Sequence, residues 1–387
     1  THGMSARAAN GRDPNGRDDD RPTLITGGAG FVGCNLADRL LRDGRRVVIF
    51  DNLSRAGVER NLAWLRATHG ERVGFIEGDV RDRAAVARAV RGPHGSAPAA
   101  DVFHFAAQVA VTTSLVDPVA DFEVNARGTL NLLEAVRATG EVAGAPIPVL
   151  FTSTNKVYGE LADVAESTGE GGTRRYAPAD AAVAASGIGE GRPLDFHSPY
   201  GCSKGTADQY VCDYARSFGL PAVVFRMSCI YGPRQFGTED QGWVAHFLIR
   251  ALRGEPITLY GDGLQVRDVL FVGDLVEAFL LARANVGRLA GRAFNIGGGP
   301  GNTTSLLELV DRLGTLVGRR PPVSFEGWRT GDQKWYVSDV RAFGEATGWT
   351  PRTSLDVGLA RLHAWLGSAE SGVAAAEAEA ELAGVQA

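Results

Sequence analysis

Thr23-Leu24-Ile25-Thr26-Gly27-Gly28-Ala29-Gly30-Phe31-Val32-Gly33 runs a short apolar segment into a glycine-rich turn. Leu36, Ala37, Leu40 and Leu41 follow at helical spacing until Gly44 stops the helix. Glycines at 27, 30 and 33 suit a tight turn, close backbone approach to a pyrophosphate, and tight packing of helix on strand. The helix N-terminus would then face the phosphates. The next apolar run, Val47-Val48-Ile49-Phe50, ends in Asp51, where a carboxylate can hold a ribose 2'-hydroxyl and repel a 2'-phosphate. The expected cofactor is therefore NAD rather than NADP, although Arg55 nearby is suited to a phosphate. A purely structural glycine turn is the competing reading, and the strand before it, the helix after it and the acid beyond weigh against that.

Strand and helix go on alternating outward from this turn. Val73-Gly74-Phe75-Ile76, Val102-Phe103-His104-Phe105, Val149-Leu150-Phe151 and Ala222-Val223-Val224-Phe225 are apolar runs separated by helical segments. That order predicts an α/β fold with a doubly wound parallel sheet of Rossmann type, covered on both faces. Ligands on such a sheet collect at the carboxyl ends of the strands. The residues to read there are Asp79-Val80, Ala106-Ala107-Gln108, Thr152-Ser153-Thr154-Asn155-Lys156 and Arg226. Asp79 is suited to accept from an adenine amino group, and Ala106-Ala107 to let a cofactor approach the backbone. Ordinary loop chemistry accounts for any one of them equally well.

Composition narrows the partners. With 387 residues and a net charge of -5, the chain can bury a substantial core and carries no polyanion-binding bias. Cys34, Cys202, Cys212 and Cys229 lack the spacing of a zinc site or a disulfide framework, so no metal is expected. No apolar run is long enough to span a bilayer, and no charged-then-apolar leader is visible, so a cytoplasmic protein with reduced thiols is expected. Neither nucleic acid nor membrane is an expected partner.

Tyr200 and Lys204 lie one helical turn apart in Asp195-Phe196-His197-Ser198-Pro199-Tyr200-Gly201-Cys202-Ser203-Lys204. A fixed ammonium beside a phenol stabilises the phenolate and makes it a general base. Such pairs also arise by chance on helices. Lys156, Lys204 and Lys334 are the only lysines in an arginine-rich chain, which points to a compact or titratable ammonium at these places.

Together the glycine turn, Asp51, Asp79, His104-Phe105-Ala106-Ala107, Asn125 ahead of Gly128-Thr129, Val157-Tyr158-Gly159 and Tyr200/Lys204 resemble the extended short-chain dehydrogenase/reductases that act on nucleotide sugars. The likeness runs from about Thr23 to Leu366. Three strings are more specific: Ser153-Thr154-Asn155-Lys156-Val157-Tyr158-Gly159, Leu194 to Gly205, and Asp240-Gln241-Gly242-Trp243-Val244. They look like the branch that inverts carbon 2 of CDP-linked 3,6-dideoxyhexoses. The resemblance implies a catalytic trio of Thr154, Tyr200 and Lys204. It implies NAD contacts at Gly27, Gly30, Phe31, Val32, Asp51, Asn52, Ser54, Arg55, Asp79, Val80, Ala106, Ala107, Gln108, Asn125 and Thr152, with Tyr200 and Lys204 serving the cofactor too. It implies substrate contacts at Thr154, Asn155, Lys156, His197, Cys229, Gln241, Arg267, Arg329 and Asp332. Family members commonly pair through helices, so a homodimer or a homotetramer is expected, built through the helices after Asn125 and from Ser203 to Phe218.

The resemblance also divides the chain. Residues 21–232 would form the cofactor domain and 233–367 a smaller α/β lobe for the nucleotide sugar, with part of 265–285 returning to the first domain. Residues 1–20 and 368–387 read as disordered or frayed tails, and 160–196 as a flexible insertion containing Arg174 and Arg175 that is mobile near Ser186-Gly187-Ile188-Gly189. Ser305 and Glu308 form a capping box ahead of an amphipathic helix. Cys229 departs from the family, which often has asparagine before the Tyr-Gly-Pro turn. Asn155 and Lys156 replace the Asp-Glu pair of the 4,6-dehydratases, whose acid protonates the departing hydroxyl. The expected reaction is epimerisation through a 2-keto sugar. A 4-epimerase or 4,6-dehydratase on the same scaffold, or a non-catalytic cofactor sensor, are the alternatives.

Overall fold

The computed structural model describes residues 21–92, 96–168 and 175–368. The two expected tails fall outside this range except for Ser368, as does Arg174. Seven parallel strands form the central sheet in the order Ala293–Ile296, Ala222–Met227, Val149–Thr154, Asp101–His104, Thr23–Thr26, Val47–Asp51, Val73–Glu77. Thr26 is in register with Phe50 on one side and His104 on the other. The chain reverses its direction of strand addition between those two neighbours, so a crevice opens at their carboxyl ends.

The inner strands are buried on both faces, and for that reason their sequences are apolar without alternation. One face carries the helices Phe31–Arg42 and Val272–Ala284, with Leu36, Leu40, Leu275 and Phe279 in the shared core. The other carries Arg83–Arg91, Gly128–Ala143 and Ser198–Phe218, through Val86, Leu132, Val136, Ala207 and Val211. Each of these Leu, Val and Phe side chains contributes roughly 1.5–3 kcal/mol by leaving water. These two layers fix the strand ends that carry polar residues.

The return from the second lobe is longer than 265–285. Helix Val272–Ala284 packs on the sheet, Ala293–Ile296 becomes its seventh strand, and Phe343 and Trp349 join the same core. Ala293-Phe294-Asn295-Ile296 is too short and too isolated in sequence to announce a strand, and only pairing with Ala222–Met227 makes it one. The lobe proper is built on helices Trp243–Arg253, Leu306–Val317 and Leu355–Leu366. The Ser305/Glu308 capping box closes at the start of the second of these. Strand Val266–Phe271 spans both units, pairing with Thr303–Ser305 and Trp335–Tyr336 at one end and Cys229–Tyr231 at the other.

Within 160–196 the stretch expected to be mobile is tied down instead. Ile188 is 3% exposed. Its N–H donates to the Val337 carbonyl at 2.7 Å, and its own carbonyl accepts from Asp339 N–H and Asn295 Nδ2. Small residues there allow close docking on the core, and composition alone cannot distinguish that from mobility.

Candidate active site

The glycine turn meets the requirements of a pyrophosphate site. Gly27 has φ +68°, and a Cβ on it would lie 2.6 Å from the Ala106 nitrogen. A Cβ on Gly33 would lie 2.5 Å from the Gly27 carbonyl oxygen. Gly30 caps the helix that begins with Phe31 and Val32, and no side chain closes the first turn, so its N–H groups face the crevice. Asp51 accepts from Ala29 N–H at 3.1 Å through one oxygen and from Leu53 N–H at 2.9 Å through the other. Each oxygen keeps a lone pair for a ribose hydroxyl. Burial raises its pKa, while those two N–H groups and Arg55 pull the other way. The donor set therefore fits an NAD molecule.

The rest of the cofactor side is more crowded with protein contacts. Asp79 is gripped by Arg81 and by Asn52 Nδ2, and Arg81 holds its carboxyl down at about 2. Asn52 Oδ1 turns the chain by accepting from Ser54 N–H. Val80 is buried and its carbonyl accepts from Asn131 Nδ2. Asn125 exchanges two bonds with the Gln108 backbone and reaches Asp121 and Ser203 as well. Its amide is thus spent on joining the loop after His104 to the Ser198–Phe218 helix. That braces the loop at Gln108 against the helix. Asn125 belongs to a π-helical turn, Glu123–Arg127, a geometry that recurs at functional sites.

Tyr200, Lys204 and Thr154 converge at the same strand ends. Helix Ser198–Phe218 starts with Pro199 in its first turn, and Tyr200 N–H donates to Ser114 Oγ at 3.1 Å. Lys204 Nζ donates to the Thr152 carbonyl at 2.6 Å and stands 4.3 Å from the centre of the Phe151 ring. Burial pushes Lys204 down to about 7, opposed by Asp208 and Asp121. Burial also pushes the Tyr200 phenol up to about 12, opposed by its hydrogen bond with Thr154. Burial outweighs the Thr154 hydrogen bond at the phenol, and Asp121 adds to the rise. Thr154 Oγ1 donates to Asn155 Oδ1 at 3.3 Å and accepts from Lys156 N–H at 3.2 Å.

The residues expected to meet the substrate come from parts of the chain far apart in sequence. Asn155 Nδ2 donates to Gln333 Oε1 at 3.0 Å, and Gln333 Nε2 donates to the Gly159 carbonyl at 2.6 Å. Lys156 Nζ donates to the Gly331 carbonyl at 3.1 Å, and burial followed by Arg267 lowers its pKa to about 8. Arg267 pairs with Asp332 at 2.6 Å. Cys229 Sγ accepts from Trp243 Nε1 at 3.3 Å. Gln241 Oε1 is buried and meets no donor among the described residues. Arg329 lies 3.7 Å over the Tyr260 ring, with its guanidinium on Glu239 and Asp240. His197 stands half-exposed at the edge, 3.1 Å from Asp195 and 3.6 Å from Glu160.

Three residues of the site escaped the sequence reading. Gln333 and Asp121 are fully buried polar side chains, and Ser203 is buried against Asp121. Gln333 and Asp121 lie in no recognisable motif, and Ser203 sits inside the string that carries Tyr200 and Lys204 without marking itself as a partner of Asp121. A polar residue embedded among apolar neighbours on a helix, as Asp121 is, was the only signal available.

Comparison with known proteins agrees with this geometry. Residues 23–297 match the NAD dependent epimerase/dehydratase family. The chain is 43% identical to a CDP-paratose 2-epimerase of Salmonella typhi, covering 89% of this chain and 99% of that protein. A UDP-glucose 4-epimerase of Thermus thermophilus in complex with NAD superimposes with TM-score 0.72 at 33% identity, covering 90% of this chain and 99% of that one. A dTDP-glucose 4,6-dehydratase of Streptomyces venezuelae with NAD bound gives TM-score 0.74 at 29% identity, covering 89% and 96%.

Proposed function

Since the chain belongs to the NAD dependent epimerase/dehydratase family, we propose that it inverts carbon 2 of a CDP-linked 3,6-dideoxyhexose, interconverting CDP-paratose and CDP-tyvelose. Its likeness to the Salmonella typhi enzyme supports the substrate. The observation that carries the reaction type is the turn after Thr154. Asn155 offers only an amide, held between Thr154 and Gln333, and Lys156 is tied to Gly331, so no carboxylic acid stands where a leaving hydroxyl would need one. A 4,6-dehydratase is disfavoured on that ground, and a 4-epimerase remains the second reading on this scaffold.

When bound, NAD supplies the hydride acceptor and donor at the reacting carbon, with no net redox change. Tyr200, once ionised to the phenolate, takes the proton of the carbon-2 hydroxyl on Oη and later gives it back. A phenol at about 12 gives up its proton slowly at neutral pH, so Lys204 has to be charged and the sugar hydroxyl seated before transfer. Thr154 Oγ1 shares the charge that develops on the sugar oxygen by turning its proton from Asn155 towards it. Lys204 Nζ is held by the Thr152 carbonyl, fixing the helix against the sheet, and would also hold the ribose of bound NAD. Inversion requires the sugar to turn its other face to the same Tyr200. The nucleotide must therefore be gripped while the sugar rotates. We assign the grip to Arg267, Asp332 and Arg329 with Gln241, and the sugar contacts to Lys156, Cys229 and His197.

The test is incubation of purified protein with CDP-paratose in deuterated water. The expected product is the 2-epimer, of identical mass, with the carbon-2 hydrogen retained. A product lighter by one water, or deuterium at carbon 2, overturns the reading.

We also propose a homodimer. In the helix after Asn125, Gly128–Ala143, the apolar residues are mostly internal, Leu132 and Leu133 being 0% exposed. Leu115, Val116, Val119, Phe122, Tyr210 and Phe218 are exposed on the same layer of helices and supply the apolar surface. A monomer in light scattering at micromolar concentration would count against it. No described helix is long and apolar enough to cross a membrane. Four free cysteines suit a reducing compartment, and we place the enzyme in the cytoplasm.

A further inference from the structure

Asp121 is 0% exposed and lies in the short helix Pro118–Phe122, which packs against the Ser198–Phe218 helix. Its carboxylate accepts from Ser203 Oγ at 2.5 Å and from Asn125 Nδ2 at 3.2 Å. Ser203 immediately precedes Lys204. No lysine, arginine or histidine pairs with Asp121 among the described residues. A buried carboxylate with two neutral donors and no cation in contact is costly unless a positive charge stands nearby.

The surroundings of Lys204 identify that charge. Its own helix presents Tyr200 and Asp208, the strand Val149–Thr154 presents the Thr152 carbonyl and the Phe151 ring, Asp101–His104 presents His104, and Pro118–Phe122 presents Asp121. Asp208 is neutralised by a two-pronged pair with Arg226, both contacts at 2.9 Å. His104 is buried between Thr26 and Thr129, and burial followed by Lys204 holds it uncharged, its pKa down at about 3. Asp121 is therefore the one negative charge facing Lys204 that no cationic side chain cancels among the described residues.

We propose that Asp121 is a positioning residue of the site: its buried charge keeps the Lys204 ammonium protonated, and its bond to Ser203 holds that turn of the helix in register with the cofactor loop. The inference rests on the Tyr200/Lys204 reading of the site and not on which sugar is bound. Even with Asp208 and Asp121 opposing burial, Lys204 stands at about 7, at the edge of losing its proton at neutral pH, and a neutral amine would leave Tyr200 without a partner charge. The sign follows directly. A negative neighbour favours the ammonium, so removing Asp121 lowers the pH at which Lys204 deprotonates.

The chain has three lysines, at 156, 204 and 334, so lysine labelled with carbon-13 at the ε position gives three signals, assignable with Lys156→Met and Lys334→Met. In the NAD-loaded protein without substrate, Asp121→Asn is expected to shift the Lys204 titration midpoint roughly one pH unit lower, and Asp121→Glu to leave it close to wild type. With CDP-paratose, the alkaline limb of kcat/KM should move down by the same interval, with activity approaching wild type at the acidic end. An unchanged midpoint in Asp121→Asn overturns the proposal, as does an equal loss of activity at every pH, which is what a packing role alone would give. Asp121→Ser carries the same test if Asp121→Asn fails to fold. The labelling result is independent of the substrate, so failure of the CDP-paratose assay alone would count against the proposed reaction and leave Asp121 tested.

Discussion

The two halves of the proposed site are built in opposite ways. At the proposed NAD end, the turn Gly27 to Gly33 and Asp51 offer mainly backbone shape and one carboxylate, and their spacing is local. At the proposed sugar end, Asn155 depends on Gln333, Lys156 on Gly331 and Arg267 on Asp332, contacts that span 178, 175 and 65 residues. A backbone-built site tolerates little change of shape and carries one ligand across a whole family. A site assembled from distant side chains can be altered one residue at a time, which suits the changing part of the substrate.

Removing the phenol that both halves share should have the largest effect. Tyr200→Phe is expected to lower epimerisation at least about 1,000-fold while NAD stays bound, read as product formed against cofactor retained after gel filtration. Near-normal turnover would separate the two halves and remove the proposed base. Lys204→Arg should be close behind, because a planar guanidinium does not fit between the Thr152 carbonyl and the Phe151 ring.

The backbone character of the cofactor half is tested by Gly27→Ala. A Cβ cannot enter beside the Ala106 nitrogen, and the positive φ adds strain, so a loss of roughly 2–4 kcal/mol in stability is expected in denaturant melts, together with weakened NAD binding. Wild-type binding in this variant would show that the turn moves freely. Asp51→Ala should be milder, about 10–100-fold in NAD affinity, with narrowed preference over NADP, since charged hydrogen bonds are lost but the turn remains. Equal wild-type affinity for the two cofactors would end the assignment of Asp51 to the ribose.

The smallest effect is expected in the sugar half. Gln333→Leu frees the Asn155 amide and should cost about tenfold in kcat/KM for the nucleotide sugar, with NAD affinity unchanged. A matching loss of NAD affinity would show that the halves are mechanically coupled and blunt the contrast between them.

Much of this protein was legible in its sequence because it rests on local repetition. Apolar runs without alternation mark strands buried on both faces, glycine spacing marks the turn, and Tyr200 and Lys204 share a helix face by simple periodicity. The parallel sheet, the NAD site and the membership of a nucleotide-sugar family follow from those features. Tertiary structure decided what depends on neighbours distant in sequence. It made Ala293–Ile296 a seventh strand by pairing, docked Ile188 into the core through Val337 and Asn295, and linked Asn125 to Ser203 on another helix. It also set the charges. Desolvation, which no spacing reveals, drives Tyr200 up and Lys204 down, and a buried Asp121 stands against that shift from a separate helix.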